Sequence, residues 1–466
     1  MKRYIRNIFV ALLGIFAIVP ATAQTAHSAY FLEGMTTRHK LNPALSSEYG
    51  YVSFPLLGNV NFGVSSNVGL GTFLYPSESG ELLTFLSPEV SSKEFLGSLK
   101  SQNRIVTNFD MDLLSFGFYK WNGFNTFDVS LHTSAGTQMP KEIFEFLKVG
   151  RQSTTLPTHY KVRDINLRTS AYFDIALGHS HKINEKWTIG AKIKGLIGLV
   201  NADLNIDQMD ITMDNINSQW IINSRGTANV SAKGVKLNNT TEINSEGEPC
   251  QVIDGIEFDD SQLGIAGGGL AFDLGVTYRP IENLEISASI NDLGFMLWKH
   301  NVSAETVSTV LYDGVNTGSD ESADDLEEQF SDILEFKEVN KPQTTSFLNA
   351  SVNVGAEYSF LNNAISLGVL SHTRFGRETY TEGMFVANFR AKKVFMMSLN
   401  GTISNMGGSF GALLNLCPKG FNLFLAVDCY PGIKVTPEYY LPINKFHINT
   451  SLGLSFTFGQ RHKWGL

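Results

Sequence analysis

The strongest signal along the chain is a period of two. From Phe446 to Phe458 one face carries Phe446, Ile448, Thr450, Leu452, Leu454, Phe456 and Phe458. The opposite face carries His447, Asn449, Ser451, Gly453, Ser455 and Thr457. Successive side chains of a strand point to opposite faces, so this segment reads as a strand with one apolar and one polar side. Phe127, Val129 and Leu131 alternate in the same way with Asp128, Ser130 and His132. So do Phe272, Leu274, Val276 and Tyr278 with Asp273, Gly275, Thr277 and Arg279. Leu284, Ile286 and Ile290 oppose Glu285, Ser287 and Asn291, and Val352, Val354, Tyr358 and Phe360 oppose Ser351, Asn353, Glu357 and Ser359.

Strands are expected at 60–75, 108–120, 124–135, 165–180, 186–200, 268–279, 284–297, 346–360, 363–373, 382–391, 394–403, 408–416, 420–428 and 446–458. Both a soluble sandwich and a membrane barrel would alternate, but sandwich strands run to roughly 5–6 residues. Many of these reach the roughly 10 residues that a tilted strand needs to cross a bilayer. Connection length separates the two architectures. Every second link is short: Trp121 to Gly123, His181 to Glu185, Pro280 to Asn283, Leu361-Asn362, Lys392-Lys393 and Cys417 to Gly420. The others are mostly long (76–107, 136–164, 201–267, 298–345 and 429–445), the alternation of turns and loops that a barrel has at its two rims. The expected fold is all-β, an antiparallel transmembrane barrel of about 14 strands with an N-terminal hatch or plug and short helices in the outer loops. Phe446, Ile448, Leu452, Leu454, Phe456 and Phe458 would face lipid. Trp121, Phe124, Trp187, Tyr278, Phe360, Phe421 and Phe458, all beside short turns, would form one aromatic girdle.

Composition narrows the class. Only 17% of residues are charged against 11% aromatic, with 33 Phe and 42 Gly, and a net charge of -9 argues against a nucleic-acid partner. No apolar run is long enough for a spanning helix, which needs about 20 residues. Lys2, Arg3 and Arg6, then Ile8 to Val19, then Ala21-Thr22-Ala23 before Gln24 have the order of an export signal. The expected organisation is a signal over 1–23, an N-terminal hatch or periplasmic segment over 24–58, a barrel over 59–458 and a tail over 459–466. The expected location is the outer membrane of a Gram-negative bacterium. Cys250, Cys417 and Cys429 form no C-x-x-C, and a hairpin turn at Pro418-Lys419-Gly420 would keep the last two apart.

Three stretches carry a family likeness. Ser28-Ala29-Tyr30-Phe31-Leu32 leads to Arg38-His39-Lys40-Leu41-Asn42-Pro43-Ala44. Phe272 to Pro280 runs on to Ser289-Ile290-Asn291-Asp292-Leu293-Gly294, and Leu414 to Asn422 precedes the closing strand. With these, the chain resembles the 14-stranded outer-membrane barrels of the FadL-type long-chain fatty-acid transporter group. More narrowly, it resembles Bacteroidota barrels of that shape, including an uncharacterised family and the barrel subunits of type IX secretion. The resemblance implies a barrel partly closed by an N-terminal hatch, with a transport or a scaffolding role.

Residues 26–58 do not alternate, and Asn42 before Pro43 reads as a helix N-cap with proline at the first helical position. The segment, with Asn42, Pro43 and Ala44 as its marker, either folds into the lumen as a hatch or packs beneath the barrel. The expected lumen charges are Asp128, Asp174, Lys192, Lys194, Asp273, Arg279, Glu285, Glu357, Arg390 and Asp428. Both signs are present, which fits an ion-pair network holding the hatch or a device that selects solutes. Asp128 and His132, four residues apart on a strand, sit about 13 Å from each other, too far for general-base catalysis. No catalytic residue, metal or cofactor is expected. Gly264 to Gly269 reads as the start or kink of a strand. Asp207, Asp210 and Asp214 belong to a solvated loop without EF-hand spacing. Ser322 to Val339, with Leu326, Phe330, Ile333 and Leu334 as one stripe, reads as a helix, and Lys93 to Leu99 and Glu142 to Leu147 read as shorter ones. Such helices either cap the mouth for a ligand or simply cover the rim. Two functions follow: passive passage of small hydrophobic molecules through a hatch-gated lumen, or a non-enzymatic scaffold for secretion or surface assembly. The expected partners are membrane lipid, hydrophobic solutes and a surface or periplasmic protein.

Overall fold

A computed structural model describes residues 27–76, 82–150, 156–213, 219–243, 249–262, 264–307, 309–313, 335–376, 379–391, 394–435 and 442–459. The export signal expected over 1–23, Asp214, the stripe of the helix expected from Ser322 and residues 460–466 of the tail lie outside them. Among the described residues no helix is long and apolar enough to cross a membrane.

The wall is a closed antiparallel barrel of 14 strands. β1 is interrupted (Gly50–Ser53, Val60–Ser66); β2 is Gln102–Lys120, β3 Gly123–Pro140, β4 Thr158–Lys182, β5 Trp187–Met213, β6 Gly267–Ile281 and β7 Leu284–Trp298. β8 is likewise broken (Thr344–Phe347, Ser351–Phe360), followed by β9 Ile365–Arg374, β10 Tyr380–Ala391, β11 Phe395–Ser404, β12 Gly407–Leu416, β13 Asn422–Cys429 and β14 Phe446–Phe458. Each strand pairs with the next, and β1 closes the circle on β14, with Val60 opposite Leu452 and Gly50 opposite Phe458. The tight links share one rim. At the β2–β3 link Trp121 and Asn122 have φ of 56° and 54°, the left-handed pair of a hairpin turn whose twist matches its strands. The wall begins at Gly50, inside the stretch expected to precede it.

The two faces are inverted relative to a soluble protein. Leu274, Phe385 and Phe456 are 54%, 55% and 51% exposed on the outside, while Asp273, Ser366 and Ser455 are 0% exposed on the inside. An apolar exterior wrapped round a polar interior is stable only when the exterior meets hydrocarbon, and closure leaves no unpaired edge there. Leu452, Leu454, Phe456 and Phe458 lie on that exterior. Phe446 shares that face by parity but is 5% exposed, beside Tyr430 and Lys445 of the β13–β14 connection. Phe124 also departs from the girdle. It shares the parity of Asp128, is 2% exposed, and packs inside against Tyr51 and Tyr119.

β4 and β5 have 25 and 27 residues, far more than a bilayer crossing needs, and their excess rises beyond the outer rim. There Gln219–Ala232 pairs with the outer half of β5, Asn301–Thr306 and Thr309–Asp313 pair with Gln219–Ala232, and Phe336–Val339 extends the sheet. Much of 201–267, expected as a loop, is therefore strand. With water on one side, no lipid-facing apolar row marks it. Asp207 and Asp210 lie on β5, and Asp210 pairs with Arg163 at 2.7 Å. Phe336–Val339 is strand where a helix was expected. The two shorter helices form as α1 (Ser92–Ser98) and α2 (Lys141–Val149). Their apolar sides bury Phe95, Ile143, Phe144 and Phe146 in one cluster with Val162, Met209 and Ile211 of the raised strands, closing over the mouth.

Candidate functional site

Residues 27–49 lie in the lumen, toward the rim of tight turns. The segment is short turns rather than a long helix: His27–Ala29 and Arg38–Lys40 are single 3-10 turns. Asn42 does not cap a helix. Its side-chain oxygen accepts from the Ala44 amide at 2.9 Å and its carbonyl accepts from Leu45 at 2.9 Å, a local turn that uses the same preference of Asn for self-bonding. Arg38 ties the segment to itself, donating to the Tyr30 carbonyl at 2.9 Å.

The segment meets the wall with two kinds of surface. Tyr30, Phe31, Leu32 and Met35 are buried against Leu370, Met384, Val386, Met396, Leu413 and Phe424 of β9–β13. Each fully buried side chain of this kind contributes about 1.5–3 kcal/mol. The other half is polar. Ser289, Asn291 and Asn353, from β7 and β8, all donate to the Leu41 carbonyl at 2.8, 2.8 and 2.9 Å. Pro43 and Ala44 run so close to β5 and β6 that a Cβ on Gly190 would lie 2.2 Å from the Pro43 carbonyl, and one on Gly275 2.0 Å from the Asn42 side-chain oxygen.

Charges bind the two bodies together. Arg390 donates to Glu33 at 2.8 Å and to the Phe31 carbonyl at 2.9 Å on the segment, and to Glu357 at 2.8 Å and Ser366 at 2.7 Å on the wall. Burial pushes the Glu33 carboxyl up, but the Arg390 and Arg38 guanidiniums outweigh it and bring it down to about 2. On the opposite side Lys40 donates to Asp112 at 2.6 Å, and His39 lies 3.1 Å from Asp128. Burial, reinforced by Lys192, holds the His39 imidazole well below its ordinary value against the pull of Asp128. Glu382 pairs with His27 and accepts from Tyr380 at 2.6 Å.

The expected lumen charges are thus distributed as follows. Lys192 meets Asp128 at 2.9 Å, Lys194 meets Asp273 at 2.8 Å, Arg279 meets Glu285 at 2.5 Å, and Arg390 meets Glu357. Asp174 joins His132 at 3.3 Å, whose other nitrogen meets Asp110 at 2.6 Å. Asp428 makes no ion pair among the described residues and accepts from Asn400 at 2.8 Å and Asn449 at 3.1 Å. Ser130 donates to Asp112, so it is not aligned with His132 as nucleophile with base. Among the described residues no group of three or more metal-binding side chains is assembled. Sequence reasoning missed Asp110 and Asp112 because a register shift between Asp112 and Leu114 changes the inward parity along β2, from Asp110 and Asp112 to Ser115 opposite Asp128. It also missed His27, Glu33, His39 and Lys40, whose partners are on the wall and carry no spacing signal. Cys417 and Cys429 lie at opposite ends of the β12–β13 hairpin and are not bonded to each other.

The model of a family of unknown function, DUF5723, matches residues 43–428. The chain belongs to that family. No curated protein matches it. Among solved structures it is similar to the toluene transporter TbuX of Ralstonia pickettii, at 11% identity and a TM-score of 0.42, covering 92% of this chain and 100% of that one. It is also similar to the toluene transporter TodX of P. putida (9%, 0.41, covering 91% and 93%). A third is a FadL homologue of Pseudomonas aeruginosa (10%, 0.43, covering 95% and 99%).

Proposed function

We propose that this DUF5723 member is an outer-membrane barrel, exported by the signal at 1–23, that passes small hydrophobic molecules passively when residues 27–49 move. The observation that carries this reading is the stopper itself. A wall whose own chain lies across its lumen toward one rim, held through contacts to most of its strands, is built to be closed at rest. A purely structural barrel of this width has no need of a plug tied by hydrogen bonds that water can replace. The aromatic cluster under α1 and α2 supports an apolar solute, because it places Phe73, Phe85, Phe95 and Phe144 together at the mouth. Lumen charges then act as the latch rather than as a selectivity filter.

The test is toluene uptake into proteoliposomes carrying the full-length protein or a variant lacking residues 27–49. Uptake above that of protein-free vesicles, faster in the deletion, is expected. Rates equal to protein-free vesicles in both would overturn the proposal. The raised sheet of Gln219–Ala232, Asn301–Thr306 and Phe336–Val339 favours a second reading, a platform for a secretion or surface-assembly partner. Extraction of the native membrane without any stoichiometric companion would remove that reading.

A further inference from the structure

A cavity of about 430 Å³ opens in the outer half of the barrel, where β8 is broken between Phe347 and Ser351. That volume suits a small organic ligand. Its lining has two unlike sides. On one side Arg168 of β4 and Asp203 of β5 face each other at 3.7 Å, so their charges cancel within the site. Beside them is the amide of Asn201, 7% exposed and without a hydrogen-bond partner among the described residues. The amide of Asn349, from the break in β8, also lines the cavity and is likewise unpartnered among the described residues. The Asn201 amide is nine-tenths buried and the Asn349 amide half-buried, and together they offer matched donors and acceptors to whatever fills the space between them. On the other side are Phe347 and Phe375, 77% and 50% exposed; Phe347 is the register partner of Phe295 on the outward face of β7, so this apolar surface opens toward the exterior at the break in β8.

We infer that this cavity seats a neutral amphiphile, its hydroxyl- or amide-bearing head between Asn201 and Asn349 and its apolar tail along Phe347 and Phe375. The inference rests on the transport reading above and names the substrate class for it. The head is uncharged because, among the described residues, the one cation lining the cavity is already opposed by Asp203. A carboxylate head would gain Arg168 only by lying against that second carboxylate. The tail is required because two exposed phenyl rings give a purely polar solute nothing to bind.

The test is isothermal titration of the full-length protein in lipid nanodiscs with hexyl β-glucoside, hexanoate and glucose, each corrected with empty nanodiscs. Hexyl β-glucoside is expected to bind saturably, at least tenfold more tightly than either of the others. Asn201→Leu is expected to weaken it at least tenfold, and Asn349→Leu serves as the second variant should Asn201→Leu lose the heat-modifiable migration of a folded barrel. Hexanoate or glucose binding as tightly, heats equal to empty nanodiscs, or unchanged affinity in a folded variant would overturn the inference. Binding does not need passage. Saturable hexyl β-glucoside binding alongside absent toluene uptake therefore removes the transport reading alone, whereas uptake without binding removes only this site.

Discussion

Arg390→Met is the perturbation that most directly separates the inner segment from the wall. The arginine makes four hydrogen bonds, two to the segment (Glu33 and the Phe31 carbonyl) and two to the wall (Glu357 and Ser366). Removing one partner of a buried pair costs roughly 3–5 kcal/mol because it leaves the other charge uncompensated. Only the part that holds the two bodies together bears on release. Two charge-assisted bonds, at about 1.5 kcal/mol each, give about 3 kcal/mol. At 1.4 kcal/mol per factor of ten, the released population rises roughly a hundredfold. Glu33→Gln is milder, because Arg390 keeps Glu357 and the Phe31 carbonyl; it should stay within about tenfold. Hydrogen exchange read by mass spectrometry on residues 27–49, in nanodiscs, measures this directly, with the strands as an internal reference. Unchanged exchange in Arg390→Met, or equal acceleration in Glu33→Gln, would refute the assignment of Arg390 as the bridge.

Leu452→Arg, at an outward position that is 42% exposed, should cost about 2–4 kcal/mol of folding stability in bilayers, read as lost heat-modifiable barrel. Folding as efficient as wild type would contradict a lipid-facing exterior. Gly275→Val should displace the turn at Asn42, since even a Cβ there lies 2.0 Å from the Asn42 side-chain oxygen. Faster proteolysis between residues 27 and 49 with the barrel intact is the expected sign, and wild-type protection would count against the packing. The Glu33 carboxyl sits near 2 when folded against 4.5 ordinarily, so its stabilisation is complete above the ordinary value and is lost as pH falls toward the folded one. The melting-temperature difference between wild type and Glu33→Gln should accordingly be constant at neutral pH and shrink on acidification through that window. A difference that grows there would contradict the sign.

The wall was legible because a bilayer imposes one rule on every crossing, apolar out and polar in, and leaves it written at a period of two from Phe127 to Phe458. The even alternation of tight and long links was legible for the same reason. Above the rim the rule lapses. Ile206, Met209 and Ile211 are buried under α1 and α2 while Lys192 and Lys194 of the same strand are buried among charges. A single pattern cannot announce both environments. Phe124 shows a related limit: its parity with Asp128 assigned it to the inside, and proximity to a turn did not. For Asn42, local chemistry allowed two solutions, a helix cap or a self-bonded turn, and the wall at Gly190 and Gly275 leaves room only for the second. The latch at Glu33, His39 and Lys40 was invisible because its contacts join residues 72 to 357 positions apart.

The barrel depends on a sheet that closes on itself. Asn61 of β1 and Ser451 of β14 are register partners, and paired residues of antiparallel strands have Cα atoms about 4.5–5.5 Å apart, within reach of a disulfide. In a variant lacking the three native cysteines, Asn61→Cys with Ser451→Cys should cross-link nearly completely in isolated membranes, while Asn61→Cys with Ser366→Cys, from the far wall, should not. Equal yields from the two pairs, or none from the first, would mean that the first and last strands do not meet.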